Sequence, residues 1–457
     1  MEILSADILT MLAGSITGFI AGLVPGVGLV ILLLISYPFI LDLSLFQLLL
    51  YYLAACSAST FSGSIISTTM GIPGDSSSLP AVKEGNAMFN DQRGHFAISN
   101  AALGSVVGSF FAVLSVLLVL PFAVKIISNF YNNNIQLAIL TLSSTIIIFM
   151  YGTSIWRNIC LYLFGMFLGS IGVNPVPYVV TWKSFIPYES YPRLYEGLPF
   201  FPVVVALFVI PVLWRSWHIS KEIKGSRLYV DIATFGEHIK VFLSNIGSVI
   251  RGSLIGTLAG LVPHLTTTLA SNISYLLEKQ RQKRKKQYND RGDIKCLTAA
   301  ETANNSAAFI QLMPLILLGI PITSSEAILL SIIERTSYGI DYKMTVETGL
   351  FAQLVYYFVF VNILCFTFSW PIISYVNHLQ KISLKKVFVG SLLVLVFLIW
   401  YIGYRNQDGF FYLLTFFALA PLGWVLRKEE TIILLIGFIL QNKLTAAMDI
   451  FYRIYLQ

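Results

Sequence analysis

Charge is what this sequence has least of. Only 12% of its 457 residues are Asp, Glu, Lys or Arg, about half of what the water-facing surface of a soluble protein requires. A soluble globular enzyme is thereby excluded. Four cysteines are too few to staple a chain of this length, so a disulfide-framed secreted module is excluded too. No G-x-x-x-x-G-K-[ST] phosphate loop, H-E-x-x-H zinc pair or G-x-S-x-G nucleophile elbow occurs. ATP-driven transport within the chain and the common intramembrane hydrolases lose their usual support. We expect no catalytic residue, no cofactor and no metal beyond a transported Na⁺. The first residues, MEILSADILTMLAGS, lack a basic n-region, so the first apolar run is expected to be a retained membrane segment.

What is present is apolar, with 56% hydrophobic and 14% aromatic residues. Apolar runs recur near 8–40, 45–53, 97–127, 135–151, 159–171, 200–214, 241–277, 312–318, 327–333, 350–376, 387–401, 410–426 and 431–440. A helix needs about 20 apolar residues to cross a bilayer. The pattern predicts an all-α integral membrane protein with about 10–13 transmembrane or re-entrant helices. The formal net charge of +7 is concentrated in loops, with eight of the 30 Lys and Arg residues between Lys279 and Lys295 (KQRQKRKKQYNDRGDIK). Such a loop marks the cytoplasmic side under the positive-inside rule, and topology accounts for its charge better than a nucleic-acid or lipid partner does.

Two strings recur. Gly14 to Pro25 reads GSITGFIAGLVP and Gly252 to Pro263 reads GSLIGTLAGLVP, sharing G-S-x-x-G-x-x-A-G-L-V-P at an offset of 238 residues. Met70 to Pro73, MGIP, recurs as LGIP at Leu318 to Pro321, at an offset of 248. The sequence therefore divides into a first repeat (1–217) with a GIPG hairpin, a polar linker (218–239) and a second repeat (240–457) with the basic loop (279–295) and a GIP hairpin. Pro25 and Pro263 break apolar runs too long for one simple span. Paired, Gly/Pro-interrupted segments point to a secondary transporter, because broken helices expose N–H and C=O groups that can hold an anion and a coupling cation. Lys83 and Arg93 follow the first GIP, whereas the basic loop precedes the second. Placing both basic segments in the cytoplasm favours inverted repeats.

Two constellations could carry the chemistry. From Ser62 to Asn86 the chain is polar and glycine-rich between apolar runs, a pattern that fits either an ordinary loop or a re-entrant hairpin shielded by protein. As a hairpin it would offer Gly71, Gly74, Thr68, Thr69, Ser76 and Ser77 to a carboxylate, with Gly319, Ser324 and Ser325 as second-half counterparts. Glu301, Asn304 and Asn305 lie at helical spacings of three and four and share a face. They form either a structural hydrogen-bond cluster or a cation site, and the residues alone leave Na⁺ and H⁺ both open. Asp75 and Glu326, close behind the GIP motifs, could orient a hydroxyl or a cation. Lys125, Arg157 and Asp449 read as interfacial anchors, and His264, beside Pro263, as a packing or solvent-facing residue.

These residues resemble the large membrane subunit (TctA-type) of the bacterial tripartite tricarboxylate transporters. The likeness rests on AGLVPGVG at Ala21 to Gly28, GIPGDSSSLPAVKEGNAM at Gly71 to Met88, AAETANNSAA at Ala299 to Ala308 and LGIP at Leu318 to Pro321. It implies a cytoplasmic-membrane permease importing an organic anion, typically a di- or tricarboxylate, by cation symport. A periplasmic solute-binding protein and a small membrane subunit would be its partners. On the matching positions it implies roles for Gly71, Pro73, Gly74, Glu301, Asn304, Asn305, Gly319 and Pro321, and structural roles for Pro25 and Gly28 at the first break. The sequence departs from the pattern at VPHL (Val262 to Leu265), at IPIT (Ile320 to Thr323) and at Asn174. The alternative is a non-transporting membrane assembly or receptor-like protein that binds a partner.

Overall fold

The computed structural model describes residues 2–24, 28–74, 76–130, 133–150, 154–172, 192–195, 197–211, 213–214, 235–261, 267–321, 323–335, 349–379, 384–426, 433–441, 444–445 and 448. The described residues are helical, without strands. In the amino-terminal half they form α1 (Glu2–Leu23), α2 (Gly28–Ile40), α3 (Leu45–Met70), α4 (Gly94–Phe130), α5 (Asn133–Met150), α6 (Ile155–Gly169) and α7 (Phe200–Val204). The other half holds α8 (Phe235–Ser244), α9 (Ile246–Leu261), α10 (Thr267–Arg284), α11 (Ile294–Ile310), α12 (Met313–Leu318), α13 (Ser324–Arg335), α14 (Leu350–Leu379), α15 (Leu384–Arg405) and α16 (Gly409–Val425). Among the described residues five helices, at Ser5–Leu23, Leu45–Met70, Gly94–Ile126, Leu350–Ser369 and Phe388–Arg405, are long and apolar enough to cross a membrane. A bent pair, Gly236–Ser244 with Ile246–Gly260, makes a sixth candidate, and shorter apolar helices lie at Gly28–Ile40, Ile155–Gly169, Phe200–Val209 and Gly409–Val425.

Local chemistry sets the helix ends. Ser44 and Gln47 form a capping box at the start of α3, where the Gln47 N–H donates to Ser44 Oγ (3.3 Å) and the Ser44 N–H to Gln47 Oε1 (3.2 Å). Asp293 caps α11 by accepting from the N–H groups of Lys295 (2.9 Å) and Cys296 (3.0 Å). Gly71 ends α3 and Gly319 ends α12, both left-handed at φ 66° and 64°. Each donates its N–H to the carbonyl four residues back, Ser67 or Leu315, a C-cap that glycine adopts without a Cβ penalty.

Between membrane helices close backbone approach replaces the hydrophobic force, so small residues mark the contacts. Gly14, Gly18 and Gly22 of α1 lie on Tyr51, Ala55 and Ser59 of α3; Gly252, Gly256 and Gly260 of α9 lie on Ala299, Ala303 and Ala307 of α11. A β-carbon at Gly18 would enter the carbonyl of Ala55, and one at Gly256 that of Ala303. The glycines pair at the offset of 238 and their contacts at 248, the same two offsets that relate the sequence strings. The two chain halves interlock: α4 packs on α11 and α14 packs on α3. Met11, Leu48, Leu49, Ile310 and Leu315 belong to one continuous buried cluster drawn from both halves.

The first long apolar run ends its opening helix as expected, α1 stopping at Leu23 and α2 starting at Gly28, whereas the break expected in the second run falls at 262–266, outside the described residues. Pro25, Pro263, His264, Asp75, Asn174, Asp449 and most of the 218–239 linker lie outside the described residues. One expectation needs correcting: the irregular stretch does not begin at Ser62. α3 runs through FSGSIISTT to Met70, because Ser and Thr hydroxyls bond back to their own helix, as Ser62 does to the Ala58 carbonyl (2.9 Å) and Thr69 to that of Ile65 (2.8 Å).

Candidate functional site

The centre of the fold is the crossing of α3 and α11. Ser64 Oγ donates to Glu301 Oε2 at 2.6 Å, and Thr60 Oγ1 donates to Asn305 Oδ1 at 3.0 Å. Numbering rises on one helix as it falls on the other, so the two run antiparallel. Glu301, Asn304 and Asn305 are all buried. The Ser64 bond has the length of a charge-assisted O–H···O⁻ contact.

The three polar residues of α11 differ in use. Asn305 is fully engaged, since its Nδ2 also donates to Ser105 Oγ (2.8 Å) and to the Glu301 carbonyl (3.1 Å). It ties α11 to α3 and α4 at once. Asn304 Oδ1 is buried with no hydrogen-bond partner among the described residues. A buried carboxylate and an amide oxygen one turn apart form a hard-oxygen pair suited to a monovalent cation or a proton.

Both GIP segments are built tightly. At the first, the Gly74 N–H donates to Ser67 Oγ (3.1 Å), Ser67 Oγ to Ser78 Oγ (2.8 Å), and Asn86 Nδ2 to the Thr68 carbonyl (2.9 Å). A β-carbon on Gly74 would lie 2.6 Å from Gly63 Cα and 2.8 Å from the Gly22 carbonyl, so this glycine is needed for packing. Thr68 Oγ1 is buried and has no hydrogen-bond partner among the described residues, while Thr69 Oγ1 is spent on its own helix. Ser76 is described in its backbone only, within a 3₁₀ turn. Pro73 is half-buried and Pro321 buried. Gly28, left-handed at φ 63°, opens α2.

At the second segment Ser325 Oγ lies 2.9 Å from Tyr52 OH and 3.1 Å from Thr323 Oγ1, and Ser324 is half-buried at the start of α13. Glu326 closes a capping box with Thr323: its Oε2 accepts from the Thr323 N–H (3.1 Å) and its own N–H donates to Thr323 Oγ1 (3.2 Å). Tyr52 and Thr68 stand sixteen residues apart on α3, about 24 Å at 1.5 Å per residue. In this conformation one carboxylate does not reach both hydroxyl sets, with Glu301 and Asn305 lying between them.

A second polar centre was not singled out from sequence. Glu84, buried, follows the GIPG segment and accepts four hydrogen bonds. Three come from Tyr275 OH (2.8 Å), Tyr288 OH (2.9 Å) and Lys279 Nζ (3.2 Å), and the Asp293 N–H donates to the other oxygen at 2.9 Å. Beside it Arg93 donates to the carbonyls of Arg291 (2.8 Å) and Gly292 (3.2 Å). Gly292 has φ 98°, and a β-carbon there would lie 2.5 Å from the Glu84 carbonyl. Burial opposes the charge on Lys279, but the tyrosine hydroxyls and Glu84 outweigh it and hold the pKa above that of an ordinary lysine. Burial, with Glu84 adding to it, pushes Tyr275 up to about 12. The basic loop is thus fastened to the first GIPG segment, at the end of α3 where α11 begins. The spacing of Glu84, Tyr275, Lys279 and Tyr288 gives no sequence pattern that would have marked this centre.

A family model described as "Tripartite tricarboxylate transporter TctA family" matches residues 8–434. The chain is also similar to the "Uncharacterized 52.8 kDa protein in TAR-I ttuC' 3'region" of Agrobacterium vitis, 27% identical over 320 residues. That alignment covers 69% of this chain and 61% of the relative. No solved structure matches.

Proposed function

The chain belongs to the tripartite tricarboxylate transporter TctA family, and on that premise we propose that it is the permease subunit of a binding-protein-dependent secondary transporter of the cytoplasmic membrane. It imports an organic anion of the di- or tricarboxylate class together with Na⁺ or H⁺. A periplasmic solute-binding protein delivers the anion, and a small membrane subunit completes the assembly. The observation that carries this reading is the antiparallel crossing of α3 and α11 at a buried carboxylate, flanked by two GIP segments with the same glycine cap.

We read the two halves as inverted repeats. Elements related by the 248-residue offset run antiparallel, and the glycine contacts recur at both offsets. Ser324 and Ser325 then correspond to Ser76 and Ser77. The hydroxyl sets at Thr68 and Ser76 and at Ser324 and Ser325 are the two ends of one path, with Gly71, Gly74 and Gly319 shaping the backbone that meets the substrate. A carboxylate engages one end at a time as access alternates. Glu301 and Asn304 hold the coupling ion, and Asn305 fixes the helix that presents them.

Replacing Glu301 by Gln keeps the volume and the acceptor for Ser64 but removes the charge. Gradient-driven uptake into proteoliposomes is expected to fall at least tenfold, with membrane-inserted protein at the parental level. Uptake at the parental rate would remove Glu301 from coupling.

A further inference from the structure

α9 and α10 form an antiparallel hairpin whose open end is basic. Between them lies a groove of about 580 Å³, lined at its mouth by Arg281, Arg284 and Lys285 and along its walls by Leu254, Ile255 and Leu277. At its floor Arg251 is paired with Glu278, Nε to Oε2 at 2.8 Å and a second guanidinium nitrogen to Oε1 at 2.8 Å. That pair is neutral as a unit. Arg281, Arg284 and Lys285 are exposed and make no ion pair among the described residues, so the mouth carries three uncompensated positive charges. Lys279, on another face of the same helix, is already committed to Glu84.

The walls continue away from the charge. Leu254 is 47% exposed and Leu277 50%; deeper along the hairpin Leu258 is 65% and Ile273 36% exposed. Open leucines on both helices make an apolar wall of the kind an acyl chain can lie against. The depth of the mouth is fixed independently by α8, which leaves the axis of α9 by 66° at Asn245. α8 is two-sided, with Glu237 and Lys240 exposed and His238 and Phe242 buried. Its His238 Nδ1 sits 2.7 Å from Ser99 Oγ of α4, holding it against the bundle. Turned out of the line of α9 in this way, a two-sided helix fits the membrane interface better than it fits one continuous span with α9, and it sits at the level of the groove's mouth.

We propose that this groove is a binding site for an anionic phospholipid of the cytoplasmic leaflet. The phosphate is held among Arg281, Arg284 and Lys285, and an acyl chain lies along Leu254, Ile255 and Leu277. Basic pockets between membrane helices on the cytoplasmic side recognise anionic headgroups in this way. The site is distinct from the Glu301 crossing, and it stands whether or not the chain moves an organic anion.

The test uses the purified full chain, delipidated in a neutral maltoside detergent, with lipid adducts followed by native mass spectrometry. Phosphatidylglycerol, phosphatidylcholine and water-soluble glycerol phosphate are compared. Phosphatidylglycerol is expected to bind at least tenfold more tightly than phosphatidylcholine, and glycerol phosphate at the same concentration should not displace it. Each cation near the surface accounts for roughly fivefold, so the triple variant R281Q/R284Q/K285Q should lose on the order of a hundredfold in phosphatidylglycerol affinity. Leu277→Trp fills the wall without changing charge and should weaken binding by about tenfold. Equal retention of the two lipids by the parent chain would overturn the proposal without recourse to any variant. So would displacement by glycerol phosphate, or binding that survives both the charge and the wall substitutions.

Discussion

Glu84 is the residue whose replacement most directly tests how the two halves are held. Its oxygens accept from Tyr275, Tyr288, Lys279 and the backbone of Asp293, and it is only 2% exposed. Glu84→Gln keeps the shape but turns one acceptor into a donor that faces other donors, and it leaves Lys279 without its counter-charge. Breaking one side of a buried ion pair costs roughly 3–5 kcal/mol, and at about 2 °C per kcal/mol the melting midpoint in detergent should fall by roughly 6–10 °C. The assay is loss of the monodisperse peak on size exclusion after heating. Asp290→Asn, an exposed neighbour in the same loop, serves as the control and should melt within about 1 °C of the parent. Lys279→Met should cost a similar amount, and the double variant less than the sum of the two, because both substitutions remove one interaction. A Glu84→Gln protein that melts with the parent would refute the fastening of the basic loop to the GIPG segment.

Further outcomes follow from the same geometry. Tyr275 holds its proton more tightly folded than unfolded, so its contribution is whole below the ordinary phenol pKa of about 10 and is lost as pH climbs from about 10 towards about 12; the alkaline fall in melting midpoint should be shallower in Tyr275→Phe, and an identical fall would contradict the assignment. Gly18→Val and Gly256→Val should each abolish folded protein on membrane extraction, whereas Gly390→Val, which meets nothing within 4 Å, should be tolerated. Asn305→Ala loses bonds to Thr60, Ser105 and the Glu301 carbonyl and should cost about 2–4 kcal/mol in stability. Asn304→Ala should leave the melting midpoint nearly unchanged and instead weaken activation of uptake by the coupling cation.

The sequence made the helices and their breaks legible because both are one-dimensional signals. The run from Ala97 to Ile127 became α4, and the first long run is divided between α1, ending at Leu23, and α2, starting at Gly28. The G-S-x-x-G-x-x-A-G pattern also told the truth about packing, since a glycine every four residues is useful only where another backbone lies against it. What it could not convey was pairing across the halves. Nothing in the spacing of Ser64 announces Glu301, which is 237 residues away, and no local pattern joins Glu84 to two tyrosines and a lysine of the basic loop. The serine, threonine and glycine content from Ser62 onward pointed to irregular backbone, in an ordinary loop or a re-entrant hairpin, because hydroxyls compete for backbone bonds. Buried inside the protein, the hydroxyls of Ser62, Ser64 and Thr69 satisfy carbonyls of their own helix, and α3 continues to Met70. Glu326, which from sequence could orient a hydroxyl or a cation, forms a cap with Thr323, three residues earlier.

The central claim is coupled movement of an organic anion through this chain. Its most direct test is uptake of radiolabelled mono-, di- and tricarboxylates into proteoliposomes that hold the permease, the small membrane subunit and the solute-binding protein, under imposed Na⁺ or H⁺ gradients. Accumulation of one di- or tricarboxylate that collapses when its gradient is removed, and that is lost in Glu301→Gln, is the predicted result. Folded protein with a verified solute-binding protein that accumulates no anion under either gradient would contradict the claim.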